Sequence, residues 1–222
     1  LLQATQVRTQ DGYGHDAILA TSVQHNVPAW SLFGIFFIIL PLSSVMLQER
    51  SYGIFPRILL MPGGRLGMLG GRLLAYLLVC MIQFSIVLAV GFFLLPHLGT
   101  DILQLNGKVV PLFIVAICAG LTACGFGLLL GVLARSEQQA IMIASVTIVI
   151  AAALGGIMVP VYMMPNSMQP LSVISPLGWG IEACQVLLLR GGVLRDILPQ
   201  LSAMIICFCA CVMIALRKLS HN

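Results

Sequence analysis

Long apolar runs alternate with short polar stretches along this 222-residue chain, and five of the runs, at 30–47, 73–95, 109–134, 140–159 and 197–216, set the fold class. At 1.5 Å of helical rise per residue, each approaches or exceeds the ~30 Å of a bilayer's hydrocarbon core. None contains Asp, Glu, Lys, Arg or His, and their polar members are mild ones such as Gln83, Thr122, Ser145, Thr147, Gln200 and Ser202. Hydrocarbon offers backbone N–H and C=O groups no partners, so runs of this kind must be helices. The pattern predicts an all-α polytopic membrane protein with five transmembrane helices.

Between the last two spans, 160–196 is neither a plain loop nor a sixth span. Pro160, Pro165, Pro170 and Pro176 break any continuous helix up to Pro176. The 13 residues that follow, "LGWGIEACQVLLL", are apolar except for Glu182 and Gln185. That length predicts an extracytoplasmic half-helix, interfacial or re-entrant, with Trp179 at headgroup depth. Glu182 either turns a polar face to water or lines a substrate path.

Composition strengthens this picture. Hydrophobic residues make up 59% of the chain and charged ones 8%, against about 25% charged in soluble domains. With a mean hydropathy of +1.05, both a soluble fold and disorder are excluded. The net charge of +4 comes from 11 scattered Lys and Arg without a basic cluster, so nucleic acid is not an expected partner. Those charges report topology instead. Arg50, Arg57, Arg65, Arg72, Arg135, Arg217 and Lys218 fall on one side, and Arg8, Lys108, Arg190 and Arg195 on the other. Seven against four makes the first side cytoplasmic, with the N-terminus outside and the C-terminus inside. Residues 1–27 are polar, lack a signal peptide and begin with Leu1. The expectation is a C-terminal fragment that lacks a first transmembrane helix, in which 1–27 is an extracytoplasmic tail and 28–222 the transmembrane domain.

Reactive chemistry is sparse. There is no HExxH, no GxSxG and no P-loop, and the seven cysteines form no CxxC or Cys/His ligand set. His15, His25, His97 and His221 all fall in predicted extramembrane positions. The chain is therefore expected to be no enzyme, to have no catalytic residues and no metal, and to be unable to hydrolyse ATP alone. The lack of acids at membrane depth disfavours ion coupling, although half-helix carbonyls can hold a cation. Small residues at four-residue spacing, Gly67/Gly71, Gly120/Cys124, Gly127/Gly131 and Ala151/Gly155, allow close helix approach, within the chain or in a dimer. Of these, Gly120, Gly127 and Gly131 mark the third span as a tightly packed core helix.

The loop after the first span, "LQERSYGIFPRILLMPGG", places Tyr52, Phe55, Ile58 and Leu59 at roughly helical spacing before Pro62. Such a stretch can dock in a partner's groove or lie on the lipid surface. Glu49, Arg50, Gly53, Ile54, Phe55, Leu59 and Pro62 resemble the pattern that follows the second span of type-2 ATP-binding cassette (ABC) exporter permeases. Gly155, Gly156, Pro160, Met164, Pro165, Ser175, Pro176 and Trp179 resemble that family's segment between its fifth and sixth spans. With the order of helices, the likeness covers 28–218. Pro56 departs from it, so the coupling helix starts or kinks there.

The resemblance implies a bacterial inner-membrane permease, a homodimer or heterodimer, that exports its substrate by alternating access, and a lining without charge suggests an amphipathic or apolar cargo. Separate ATPase subunits would bind ATP and Mg and push the coupling segment 48–62, through Glu49, Arg50, Gly53, Phe55, Arg57, Leu59 and Pro62. Pro160, Pro165, Pro176, Trp179 and Glu182 would form the extracytoplasmic segment. An ion-coupled or passive transporter and a nontransporting membrane scaffold are the alternatives.

Overall fold

Five stretches in the computed structural model are long and apolar enough to cross a bilayer among the described residues: Val23–Ser51, Gly67–His97, Val109–Leu133, Glu137–Leu154 and Leu194–Lys218. The structure describes residues 9–10, 16–17, 22–53, 64–98, 105, 107–159, 161–165, 167 and 169–221. A small antiparallel ladder, β1 (Thr9–Gln10) against β2 (Asp16–Ala17), precedes the helices. The helices are α1 (Ser22–Phe36), α2 (Ile39–Ser51), α3 (Gly64–Ala89), α4 (Val109–Leu133), α5 (Glu137–Leu154), α6 (Pro176–Leu188) and α7 (Leu198–His221).

The first span departs most from the hydrophobic pattern, because it begins at Val23 instead of Trp30. His25 and Asn26 dilute the apolar run, yet Val27, Ala29 and His25 are all buried. The span is two helices in series. Pro41 has no N–H to offer the Phe37 carbonyl, and that carbonyl instead accepts from Leu40 N–H at 3.1 Å. The resulting tight turn at 37–38 separates α1 from α2.

Proline reshapes the second span as well. Past Ala89, α3 widens into a π-turn over Val90–Leu94, just before Pro96 in the closing turn Leu95–His97. Pro96 cannot supply the N–H that the Phe92 carbonyl would take in a regular helix. The outer face of α3 carries Leu74, Leu78, Ile82 and Ile86, all exposed. Only hydrocarbon or another apolar surface solvates such a face well.

At the centre stands α4, packed against α1, α2, α3, α6 and α7. Its small residues allow this. Ala116, Ala119, Ala123 and Cys124 are buried to within 1%, and the glycines sit where other helices arrive. A Cβ on Gly127 would lie 2.7 Å from Leu42 Cδ2, one on Gly131 2.8 Å from Met46 Cβ, and one on Gly120 2.9 Å from Leu77 Cδ1. Thr122 adds a polar tie within this apolar setting, sharing its hydroxyl proton between the Cys118 carbonyl at 2.8 Å and the Met204 carbonyl of α7 at 3.1 Å. Gly67 and Gly71 differ, since among the described residues nothing lies within 4 Å of a Cβ at either. Their spacing is that of a packing pair, but no described neighbour approaches them.

The fourth span ends earlier than hydropathy predicts, at Leu154 instead of residue 159. Gly155 caps α5, Gly156 adopts φ +83°, and Ile157 N–H reaches back to the Ala152 carbonyl at 3.2 Å. This is the six-to-one closure that ends helices at a left-handed glycine.

Candidate coupling and export site

At one end of the bundle, α2 runs into the segment that resembles a coupling helix. Tyr52 N–H bonds the Gln48 carbonyl at 2.9 Å, and Gly53 follows with φ +65°. Among the described residues no atom lies within 4 Å of a Cβ placed on Gly53, and its positive φ favours glycine there. Glu49, one turn before this stop, forms an ion pair with Arg72 of α3. Arg72 lies roughly two turns into α3. The pair thus ties together the two helices from which the 54–63 segment departs. Arg50, Ser51, Tyr52 and Gly53 are exposed beside it. Phe55, Arg57, Leu59 and Pro62, and Pro56 with them, lie outside the described residues. By sequence Arg72 is only one of the charges that set topology. The signal for its second role was its place: an acid and a base stand at the two ends of one interhelical loop.

At the other end, the small and proline-rich residues of 155–179 close on each other. Ser175 is the N-cap of α6 and Pro176 its first residue, a position that needs no N–H. The Ser175 hydroxyl donates to the Ala151 carbonyl of α5 at 2.7 Å and accepts from Gly178 N–H at 3.4 Å. Gly155 and Gly178 meet backbone to backbone. A Cβ on Gly155 would fall 2.8 Å from Gly178 N, and one on Gly178 would fall 2.6 Å from the Ser172 carbonyl oxygen. Trp179 donates from Nε1 to the Val173 carbonyl at 2.7 Å, which pins the turn before α6. Pro165 is exposed and accepts from Gln169 N–H at 3.3 Å. Pro160 lies outside the described residues.

The half-helix is packed into the bundle. Leu177, Ile181, Ala183, Cys184, Leu187 and Leu188 are all buried, and α6 packs against α1, α4, α5 and α7. Glu182 is exposed on the remaining face. The histidine expectation needs correction. His25 is in α1, 7% exposed, and its Nδ1 lies 3.2 Å from Gln185 Nε2 of α6. The polar side chain of α6 offers it a hydrogen bond that a lone helix could not, so His25 enters the bundle. His97 ends the second span, its Nδ1 2.8 Å from the Phe93 carbonyl. Lys108, at the N-terminus of α4, donates to the carbonyls of Gly191 (2.7 Å) and Gly192 and so holds down the loop after α6.

A side groove of about 520 Å³ opens between the first span and α3, bounded by Trp30, Phe33, Phe37, Pro41 and Gln83. Its aromatic rings form a ladder, with Trp30 to Phe33 at 5.6 Å and Phe33 to Phe37 at 5.0 Å, both edge to face. Gln83 reaches in so closely that a Cβ on Gly34 would sit 2.1 Å from its Nε2. Sequence reasoning missed this groove. The aromatic spacing at 30, 33 and 37 was its only trace, and helical spacing alone does not separate an open face from a packed one. Among the described residues, no group of three His, Cys, Asp or Glu side chains could hold a metal ion.

Known proteins resemble this chain in sequence. It is 29% identical over 130 residues to the probable multidrug ABC transporter permease YbhR of Escherichia coli (strain K12), an alignment covering 59% of this chain and 34% of the relative. It is 22% identical over 170 residues to the linearmycin resistance permease protein LnrN of Bacillus subtilis (strain 168), covering 75% of this chain and 42% of the relative. The chain thus spans less than half the length of the curated relatives it matches. No solved structure matches it significantly. The model of the ABC-2 type transporter family matches residues 9–189, which include the Glu49–Gly53 turn and the Gly155–Trp179 closure. This chain, a multi-pass membrane protein, belongs to the ABC-2 type transporter family.

Proposed function

We propose that this chain is the permease part of an ATP-driven exporter and that separate ATPase subunits, which hold the ATP and Mg, drive it through the 48–62 segment. The observation that carries the reading is the Glu49–Arg72 pair at the base of that segment. A loop tied only to itself would absorb a push. Two helices clamped at their shared end move together, and α2 in turn packs on α4 through Leu42 and Met46. The chain itself contributes no catalytic group in this reading. A second permease subunit, identical or related, completes the pathway.

The cargo is amphipathic or apolar. The aromatic groove along the first span, with Gln83 as its polar contact, suits such a molecule, and the relatives' names speak of multidrug and linearmycin resistance. The seven-to-four charge count supports a cytoplasmic C-terminus, and the bacterial relatives support a bacterial inner membrane. The experiment is uptake of an apolar dye into inverted membrane vesicles that contain the permease and its ATPase. ATP-dependent uptake, abolished by a non-hydrolysable analogue, is expected. Uptake driven by an imposed ion gradient without nucleotide would contradict the proposal.

A further inference from the structure

A second cavity, of about 750 Å³, lies at the bundle end where α2, α5 and α7 come together and where α4 turns into α5. Three cations line it: Arg50 from the end of α2, Arg135 from the α4–α5 turn and Lys218 from α7. Among the described residues none of the three forms an ion pair. Glu137 is the one carboxylate among the described lining residues and accepts a hydrogen bond at 2.9 Å from Gln48 Nε2; against the three cations, the described lining has an excess of two positive charges. The turn that carries Arg135 is fixed. Gln139 N–H donates to Ser136 Oγ at 3.2 Å, and Arg135 N–H donates to Gln139 Oε1 at 2.9 Å. On the bilayer side the lining turns apolar, through Leu47 and Val132.

We propose that this cavity binds the phosphate of an anionic phospholipid, with Arg50, Arg135 and Lys218 around the phosphate and the Leu47–Val132 wall against the glycerol and upper acyl chain. Four candidate spans end at or beside the cavity, at Ser51, Leu133, Glu137 and Lys218, which puts it at headgroup level. Basic pockets between helices at that level suit anionic headgroups, and the volume lies within the range of small-ligand sites. An acidic segment of a partner protein would have no use for the apolar wall. The site does not depend on the ATP-driven reading, since it needs only the membrane and these side chains.

The test is native mass spectrometry of the full chain released from mild detergent after exposure to equal amounts of phosphatidylglycerol and phosphatidylethanolamine. The parent should retain phosphatidylglycerol in preference. Each cation near an anionic headgroup contributes about a fivefold preference, so Arg135→Gln with Lys218→Gln should lower the retained ratio on the order of twentyfold, and Lys218→Gln alone about fivefold. Arg135→Lys should keep most of it. Equal retention of both lipids by the parent, or an unchanged ratio in the variants, would overturn the proposal. So would displacement of the lipid by millimolar glycerol 3-phosphate, which would assign the cavity to a free phosphate ester. Loss of ATPase binding with lipid retention unchanged would overturn it in favour of a protein partner. The single Lys218→Gln variant keeps the test available should the double variant fail to fold.

Discussion

The Glu49 carboxylate on α2 pairs with the Arg72 guanidinium on α3 and so joins the two helices that flank the 54–63 segment. Arg72 is 11% exposed and Glu49 24%. The pair therefore lies between an exposed bridge, worth less than about 1 kcal/mol, and a fully buried one, whose breakage costs about 3–5 kcal/mol. Glu49→Gln or Arg72→Gln should each lower stability by roughly 1–3 kcal/mol, read as a drop in thermal midpoint in detergent. Reversing both charges should recover part of that loss; the absence of any recovery would show that the two side chains act independently.

Gly131 and Gly71 look alike in sequence and differ in space. Gly131→Leu must displace Met46, 2.8 Å from the position of its new Cβ, whereas Gly71→Leu meets no described neighbour within 4 Å. Overpacking of this kind costs about 1–3 kcal/mol. Gly127→Leu, against Leu42, should behave like Gly131→Leu. Fluorescence-detected size-exclusion of the three variants should show loss of assembled protein for the two α4 changes only. Equal yields for all three would mean that the α2–α4 contact does not form as described.

Ser175 holds both the start of α6 and the end of α5. Ser175→Ala removes one helix cap, worth about 1 kcal/mol, and one of the two hydrogen bonds to the Ala151 carbonyl, which keeps Gly155 N–H at 2.8 Å, at a further cost of about 0.5–1.5 kcal/mol. Gly178→Ala should be worse than Ser175→Ala, since its Cβ would be 2.6 Å from the Ser172 carbonyl oxygen. Cysteine-accessibility labelling at exposed Val173 and Ile174 would report the loosened turn as faster modification in both variants. Unchanged labelling rates would contradict the assignment of Ser175 as the link.

Orientation has its own test. A reporter fused after Lys218 should read cytoplasmic, and one inserted near Asn166, which lies outside the described residues, should read extracytoplasmic. The reverse pattern would overturn the charge count and with it the face given to the coupling segment.

What the sequence disclosed and what it withheld follow a physical division. Hydropathy depends on each segment's own composition, so five spans, the proline-broken stretch and the half-helix at 177–189 were legible. The ends moved where a single residue intervened: Gly156 stopped α5 short of residue 159, and the packing of His25 on Gln185 drew the first span back to Val23. Lateral neighbours were hidden. The four-residue spacing of Gly67 and Gly71 equals that of Gly127 and Gly131, and spacing indicates only that a helix can approach, not that one does. The Lys108 tie to Gly191 joins residues 83 positions apart, where neither period nor composition carries a signal, while the Arg72 contact and the Trp30–Phe37 groove left only the position of two charges and an aromatic spacing, neither of which shows what lies opposite.

The central claim is that force enters through the segment that begins at Glu49. The most direct measurement is substrate-stimulated ATPase activity of the reconstituted permease–ATPase complex, compared between the parent and a Phe55→Asp, Leu59→Asp variant at equal membrane abundance. If those side chains enter a groove on the ATPase, each contributes on the order of 1.5–3 kcal/mol of apolar burial. The variant should then lose stimulation, falling to the basal rate or releasing the ATPase, while its membrane part stays folded. Full stimulation with unchanged ATPase binding would contradict the account.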